Sequence, residues 1–159
     1  FLDGVTQTIF YDPERQAAGV YGNCFQACVA TLFHCPLDAI PHFSAFVWWP
    51  QALSLWAYGK GLNVCGEERD TIPNHSLGRI YLVGGISPRG TPHVVLGRYG
   101  EIVWDPHPSR DGLAKITDVT WFEPLEENAL APNLWGPVVA AYSIPTHHLE
   151  AELERRQNK

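Results

Sequence analysis

Pro92-His93-Val94-Val95-Leu96-Gly97-Arg98-Tyr99-Gly100-Glu101-Ile102-Val103-Trp104-Asp105-Pro106 is the stretch from which the fold can be read. Two runs rich in Val, Ile, Leu and Trp flank a Tyr-Gly pair, the pattern of antiparallel strands joined by a tight hairpin. The register decides what His93 meets. A two-residue Tyr99-Gly100 turn pairs Arg98 with Glu101 and His93 with Pro106, and alternation along the strand then points Asp105 away from His93. A three-residue loop, Arg98-Tyr99-Gly100, pairs Gly97 with Glu101 and sets His93 opposite Asp105. That loop needs a left-handed residue at its last position, which Gly100 supplies, so the sequence favours it. Val95 and Val103 then share the face of His93 and Asp105, while Val94, Leu96, Ile102 and Trp104 line the other. Both faces are apolar, so the sheet is expected to be covered on both sides. Pro92 and Pro106 hold the adjoining backbone extended.

Upstream lies Gly22-Asn23-Cys24-Phe25-Gln26-Ala27-Cys28-Val29-Ala30-Thr31-Leu32-Phe33. Phe25, Val29, Leu32 and Phe33 follow the spacing of a core-facing helical stripe, so a helix is predicted from Asn23 to Phe33, with Asn23 as N-cap and Pro36 as its stop. Cys24 falls in the first turn. Backbone N–H groups are unpaired there and the helix dipole is positive, which favours an anionic sulfur. A cysteine, a histidine and a carboxylate in this order fit a nucleophile (Cys24), a base (His93) and an orienting group (Asp105). The thiolate would attack a carbonyl, and the Cys24 N–H with one side-chain amide would hold the oxyanion.

The rest of the chain reads as helices first and strands second. A short extended piece is expected at Thr6–Phe10 in an otherwise irregular stretch to residue 21, with Asp12-Pro13 and Gly19 marking turns. A helical turn follows at Pro36–Ile40, then a helix from Trp49-Pro50 to Gly59 or Gly61. Asn63–Cys65 reads as a short strand and residues 66–78 as loop. Further strands are expected at Arg79–Val83, His93–Arg98, Glu101–Trp104, Val119–Phe122 and Val138–Ser143. This order gives an α+β domain with an antiparallel sheet against the Cys24 helix, spanning residues 1–145. Residues 146–159 form a polar tail of helical pattern, with Glu150, Glu152 and Glu154 ahead of Arg155, Arg156 and Lys159, as the macrodipole prefers.

At 159 residues one domain with a real core is expected. Six Trp, six Tyr and seven Phe argue against disorder. No run approaches the roughly 18–20 apolar residues of a membrane span, and no secretory leader is visible. The net charge of −6 with no basic run disfavours nucleic acid as a partner. The spacing of Cys24, Cys28 and Cys35 favours reduced thiols in a cytoplasmic-type protein over disulfides. Cys24, Cys28, His34, Cys35 and His42 cluster locally but lack the paired-knuckle spacing of structural zinc, so neither metal nor cofactor is expected. Cys28 reads as core. His107 is the rival base, but the strand register serves His93, leaving His107 to touch substrate or cap a turn. His75, His147 and His148 read as surface residues, and Trp48, Trp49 and Trp56 as core or cleft wall. With no Met and Phe at position 1, the sequence reads as a trimmed or excised part of a longer chain, delivered or secreted with it in one reading.

The motif Gly22–Cys28, the stretch Pro92–Val95 and the stretch Val103–Pro106 resemble the papain-like cysteine peptidase superfamily, nearest to the small bacterial group that includes the double-glycine leader peptidases. More narrowly, Asn23–Cys28, Pro36-Leu37 with Ile40–Phe43, Ser87–Gly90 and Asp105–Ser109 resemble a family of poorly characterised bacterial and phage proteins. The superfamily resemblance implies a papain-like domain, a peptide or protein substrate, a Cys24-His93-Asp105 triad, and an oxyanion glutamine before the cysteine. Gln16 has the more usual short spacing. Gln7 better matches the narrower pattern, with residues 12–20 as an insertion, and is preferred. Thiol-dependent hydrolysis of a peptide or amide bond is the leading reading. Glutamine deamidation or transglutaminase-type transfer on a protein, as in a toxin domain, uses the same triad. A binding module that keeps the fold without catalysis is the alternative of another class, and a zinc-stabilised interaction domain is a more distant one.

Overall fold

The computed structural model describes residues 3–125, so the expected strand at Val138–Ser143, the 146–159 tail, His147 and His148 lie outside the described residues. The elements are helices α1 (Pro13–Ala17), α2 (Cys24–Leu32) and α3 (Trp49–Gly59), then strands β1 (Leu62–Glu68), β2 (Tyr81–Ile86), β3 (Pro92–Arg98), β4 (Glu101–Trp104) and β5 (Lys115–Pro124). Short 3-10 turns at Leu37–Ala39 and Phe43–Ala45 join α2 to α3. The strands form one antiparallel sheet in the order β1-β5-β2-β3-β4. Helix and antiparallel sheet in one unit make this an α+β fold, as the sequence implies.

Both faces of the sheet are covered. On one side Val29 and Leu32 of α2 pack with Leu82, Leu96, Trp104 and Phe122. On the other, Tyr81, Val83, Val95 and Val119 pack beneath the loop residue Ile72. This two-sided burial is why Tyr81-Leu82-Val83 is apolar without alternation.

The β3–β4 hairpin corrects the expected register. Arg98 pairs with Glu101 and Gly97 with Ile102, so the turn is the two-residue Tyr99-Gly100. Their φ angles, 52° and 77°, are both positive, as a type I′ turn demands. One pair further, Leu96 faces Trp104, leaving Val103 as the extra residue of a β-bulge. Val103 and Trp104 both pack toward α2, while Val95 lies with Ile102 on the opposite side, so Val95 and Val103 do not share a face. The bulge restores the parity that the short turn alone would break, and Asp105 returns to the side of His93.

The N-terminal segment also differs from expectation. Thr6–Phe10 is not a strand, and Asp12-Pro13 opens helix α1: Asp12 Oδ1 accepts from the Glu14 and Arg15 N–H groups, and Pro13 takes the first helical position. β1 extends to Glu68, into a stretch expected to be loop. Asn23 occupies the N-cap position of α2 but makes no side-chain cap bond. Its Oδ1 instead accepts from the N–H groups of Thr8 (3.0 Å) and Ile9 (2.8 Å), while Nδ2 donates to Thr8 Oγ1 (2.9 Å). Residues 5–9 thereby become a strap. Val5 N–H donates to Thr31 Oγ1 on α2, the Val5 carbonyl accepts from Trp104 Nε1, and Gln7 N–H donates to the Pro106 carbonyl.

Asn23 is 2% exposed. Asn23→Ala should therefore strand two backbone donors at a cost of about 2–4 kcal/mol in urea unfolding. A loss below about 1 kcal/mol, the size of an ordinary net hydrogen bond, would show that Asn23 does not hold the strap.

Candidate active site

Cys24, His93 and Gln7 meet at the wall of a cleft of about 790 Å³. Each arrives by a different route. Cys24 is the first residue of α2, half-buried, with no side chain capping the turn it belongs to. The N–H groups of that turn have no intrahelical acceptor, and Asn23 has turned to the strap instead of claiming them. His93 is the second residue of β3 and Asp105 follows the last residue of β4.

His93 Nε2 donates to Asp105 Oδ1 at 2.7 Å, with both side chains shielded from solvent. Nδ1 is the ring nitrogen that remains, and Cys24 lines the cleft beside the ring. Burial acts to lower the His93 pKa. The hydrogen bonds to Asp105 and to the Cys24 sulfur, with the negative charge of both, outweigh it and raise the value to about 9. These contacts favour the imidazolium form of His93.

Asp105 is fully buried, and burial acts to raise its pKa. Its carboxylate is nonetheless held below the ordinary range by His93 and by the N–H groups of His107 (2.9 Å to Oδ1) and Gly112 (2.7 Å to Oδ2). Arg110 was not singled out in the sequence, yet it binds the backbone around the carboxylate. Its Nη1 donates to the Asp105 and His107 carbonyls, its Nη2 to Thr6 Oγ1, and its guanidinium lies 4.2 Å from the Trp104 ring centre. No local pattern marks it, because it joins the 104–107 segment to Thr6, 104 residues away.

Gln7 is 5% exposed and faces the cleft. Its Nε2 donates to the Ile9 carbonyl at 2.9 Å, which leaves the second N–H of the amide, and its Oε1 is buried without a partner among the described residues. Gln16, on α1, is half-buried and lines the same cleft. The segment expected as an insertion, residues 12–20, thus supplies part of the wall. His107 edges the cleft beside Phe10 and His93, but its Nδ1 accepts from Ser109 N–H, which caps the turn. The Cys28 thiol is wholly buried and donates to the Val94 carbonyl; burial, with the nearby Cys24 and Asp105 charges, pushes its pKa well up. The four cysteines form no disulfide. His42 Nε2 meets the Tyr21 carbonyl at 3.0 Å, and among the described residues no three His, Cys, Asp or Glu side chains are placed to hold a metal ion. Trp49 lines the cleft against Phe25 and Trp56 packs in the core; Trp48, 72% exposed, does neither.

No described helix is long and apolar enough to cross a membrane. No protein-family model, curated protein or solved structure matches the chain.

The raised His93 pKa links stability to pH. In the folded state the ring holds its proton up to about 9, whereas unfolded histidine releases it near 6.5. The stabilisation is thus fully present below pH 6.5 and is lost as pH rises through 9. Unfolding free energy should fall between pH 6.5 and 8 in the wild type, toward a total loss on the order of 3 kcal/mol. His93→Gln should remove that slope, and a slope unchanged in the variant would place its origin elsewhere.

Proposed function

We propose that this chain is a thiol-dependent hydrolase of papain-like arrangement that cleaves a peptide or amide bond through Cys24, His93 and Asp105. One observation carries the reading: a dry His93–Asp105 hydrogen bond of 2.7 Å and a thiol at a helix N-terminus stand on the wall of the same cleft. A structural histidine needs no thiol on the same wall, and a structural thiol needs no uncapped helix end.

The chemistry follows from these positions. With His93 already holding the proton as the imidazolium, the Cys24 sulfur attacks the carbonyl carbon of the substrate. The carbonyl oxygen becomes an oxyanion, held by the Cys24 N–H and the free N–H of the Gln7 amide. Asp105 stabilises the imidazolium and fixes its orientation. The imidazolium gives its proton to the departing amine, leaving a thioester on Cys24. Water, losing a proton to His93, attacks the thioester; the acid departs, the sulfur is released, and His93 is again the imidazolium. Gln7 is assigned the oxyanion role over Gln16 because the Gln7–Pro106 backbone bond ties it to the residue after Asp105. Its Nε2 gives one N–H to the Ile9 carbonyl and keeps the other for the cleft.

Iodoacetamide should label Cys24 ahead of the half-buried Cys35 and Cys65, with the site read by mass spectrometry, and His93→Ala should erase that lead. Equal labelling of the three in the wild type would favour a non-catalytic binding module. Gln7→Ala should lower kcat by about 10²–10³-fold, and Gln16→Ala far less; the reverse ranking would exchange their roles. Hydrolysis should decline as pH rises through about 9, where the imidazolium loses the proton the leaving amine needs. Asp105→Asn should move that decline toward about pH 6.5; an unmoved limb would show that Asp105 does not act on the base.

A further inference from the structure

Asp118, on β5, is the one acidic side chain lining the cleft among the described residues. It is half-buried and takes part in none of the ion pairs there. Its hydrogen bond comes from its own neighbour, the Thr117 hydroxyl at 2.7 Å. The cleft's cationic side chains are engaged elsewhere: Arg89 donates to Ser109 Oγ at 3.0 Å and lies 4.0 Å from Asp111, and His93 is bound to Asp105. So the cleft contains a carboxylate with no counter-charge from the described chain.

Its direction is set by a glycine. Asp118 pairs across the sheet with Gly84, and Gly84 with Val94, the residue after His93. A Cβ on Gly84 would stand 2.6 Å from Asp118 Oδ1 and 2.8 Å from Oδ2. The carboxylate therefore lies over the bare backbone of β2, on the side toward β3, and no larger residue at 84 would leave it there. Two strand spacings, roughly 10 Å, separate the Asp118 and Val94 backbones, and the carboxylate over Gly84 lies nearer, within two or three residues' reach of His93. An extended chain advances about 3.3 Å per residue, which puts the carboxylate two or three residues from the reacting bond. Leu82, Val94, Phe25 and Trp49 line the same cleft with apolar surface. An apolar channel ending at an unpaired carboxylate fits a side chain with an alkyl stem and a cationic head. The net charge of −6 favours the approach of such a group.

We propose that Asp118 is a specificity-determining residue that receives a Lys or Arg side chain of a peptide substrate, two or three residues from the bond attacked by Cys24. This rests on the hydrolase reading above. It goes further in naming the substrate class: the cleft selects basic segments.

The probes are peptidyl chloromethyl ketones, which occupy the acyl side, and iodoacetyl peptides, which occupy the leaving-group side. Each series carries Lys or Glu at the second or third residue from the reactive carbon. Alkylation of Cys24 is followed by mass spectrometry on the intact chain. In one series the Lys probe should react about tenfold faster than its Glu counterpart, as a partly exposed charge-assisted contact would give. Added salt should shrink that ratio. Asp118→Asn should bring it near unity, and Asp118→Lys should invert it. Labelling without a Lys preference in either series overturns the subsite and leaves the hydrolase reading standing. A Lys preference that survives Asp118→Asn overturns it as well, and a Glu preference assigns selection to Arg89. A Cys24 that takes none of the probes sinks both the hydrolase reading and the subsite.

Discussion

A fully buried carboxylate is the constraint around which the described chain is arranged. Asp105 has lost its water, and an uncompensated charge in that position would be costly enough to neutralise it or unfold its surroundings. Three donors meet it instead: the His93 ring, the His107 N–H and the Gly112 N–H. Two of them come from the loop that follows β4, so the loop must curl back over the carboxylate. The third comes from β3, so the hairpin must carry the bulge that turns Asp105 toward His93. The same contacts that make the charge tolerable also orient the imidazole.

The strap at residues 5–9 is the second consequence. It is irregular, yet its backbone groups are matched to α2 through Thr31 and Asn23 and to the β4 end through Trp104 and Pro106. Arg110 reaches it through Thr6. The strap fills the gap between the helix that carries Cys24 and the loop that carries Asp105, and it brings the Gln7 amide to the cleft. Asn23 shows how position and use can separate: it sits where an N-cap belongs, yet its side chain serves the strap. The first-turn N–H groups of α2 are then left without a side-chain partner, which is the condition an oxyanion site requires.

The cleft is polarised along its length. Near Cys24 it holds donors and a raised-pKa imidazole; across β2 it holds Asp118 above a glycine; between these lies apolar surface. Glycine at 84 and the extra residue at Thr117, where the β2–β5 register shifts, both shape that far end. Irregularities of the sheet thus occur on both flanks of His93, where they re-aim side chains in the way bulges do.

The candidate triad was legible in the sequence because each member is marked locally: Cys24 by a helix start after Gly-Asn, His93 and Asp105 by the ends of one hairpin. Helix α2, helix α3 and the β3–β4 pair were legible for the same reason, since periodicity and Gly or Pro stops act within a few residues. The reason offered for His93 meeting Asp105 was different from the one observed. Gly100 suits a three-residue loop and a type I′ turn alike, and the bulge at Val103 is set by packing of Val103 and Trp104 against the α2 side, which no local pattern encodes. Helix α1 was misread although Asp12-Pro13-Glu14 is a helix-start signal, because the same residues also begin turns. Gln7 was named through a family likeness, and its burial comes from the Asn23 and Pro106 contacts. Arg110 and Asp118 had no local mark at all. The sequence by itself determined helices α2 and α3, the β3 and β4 strands and the candidate triad residues, because those are marked by neighbours along the chain. The tertiary structure alone decided the register, the strap and the placing of the Asp118 carboxylate over Gly84 in the cleft, because those depend on hydrogen bonds and packing between segments up to 104 residues apart.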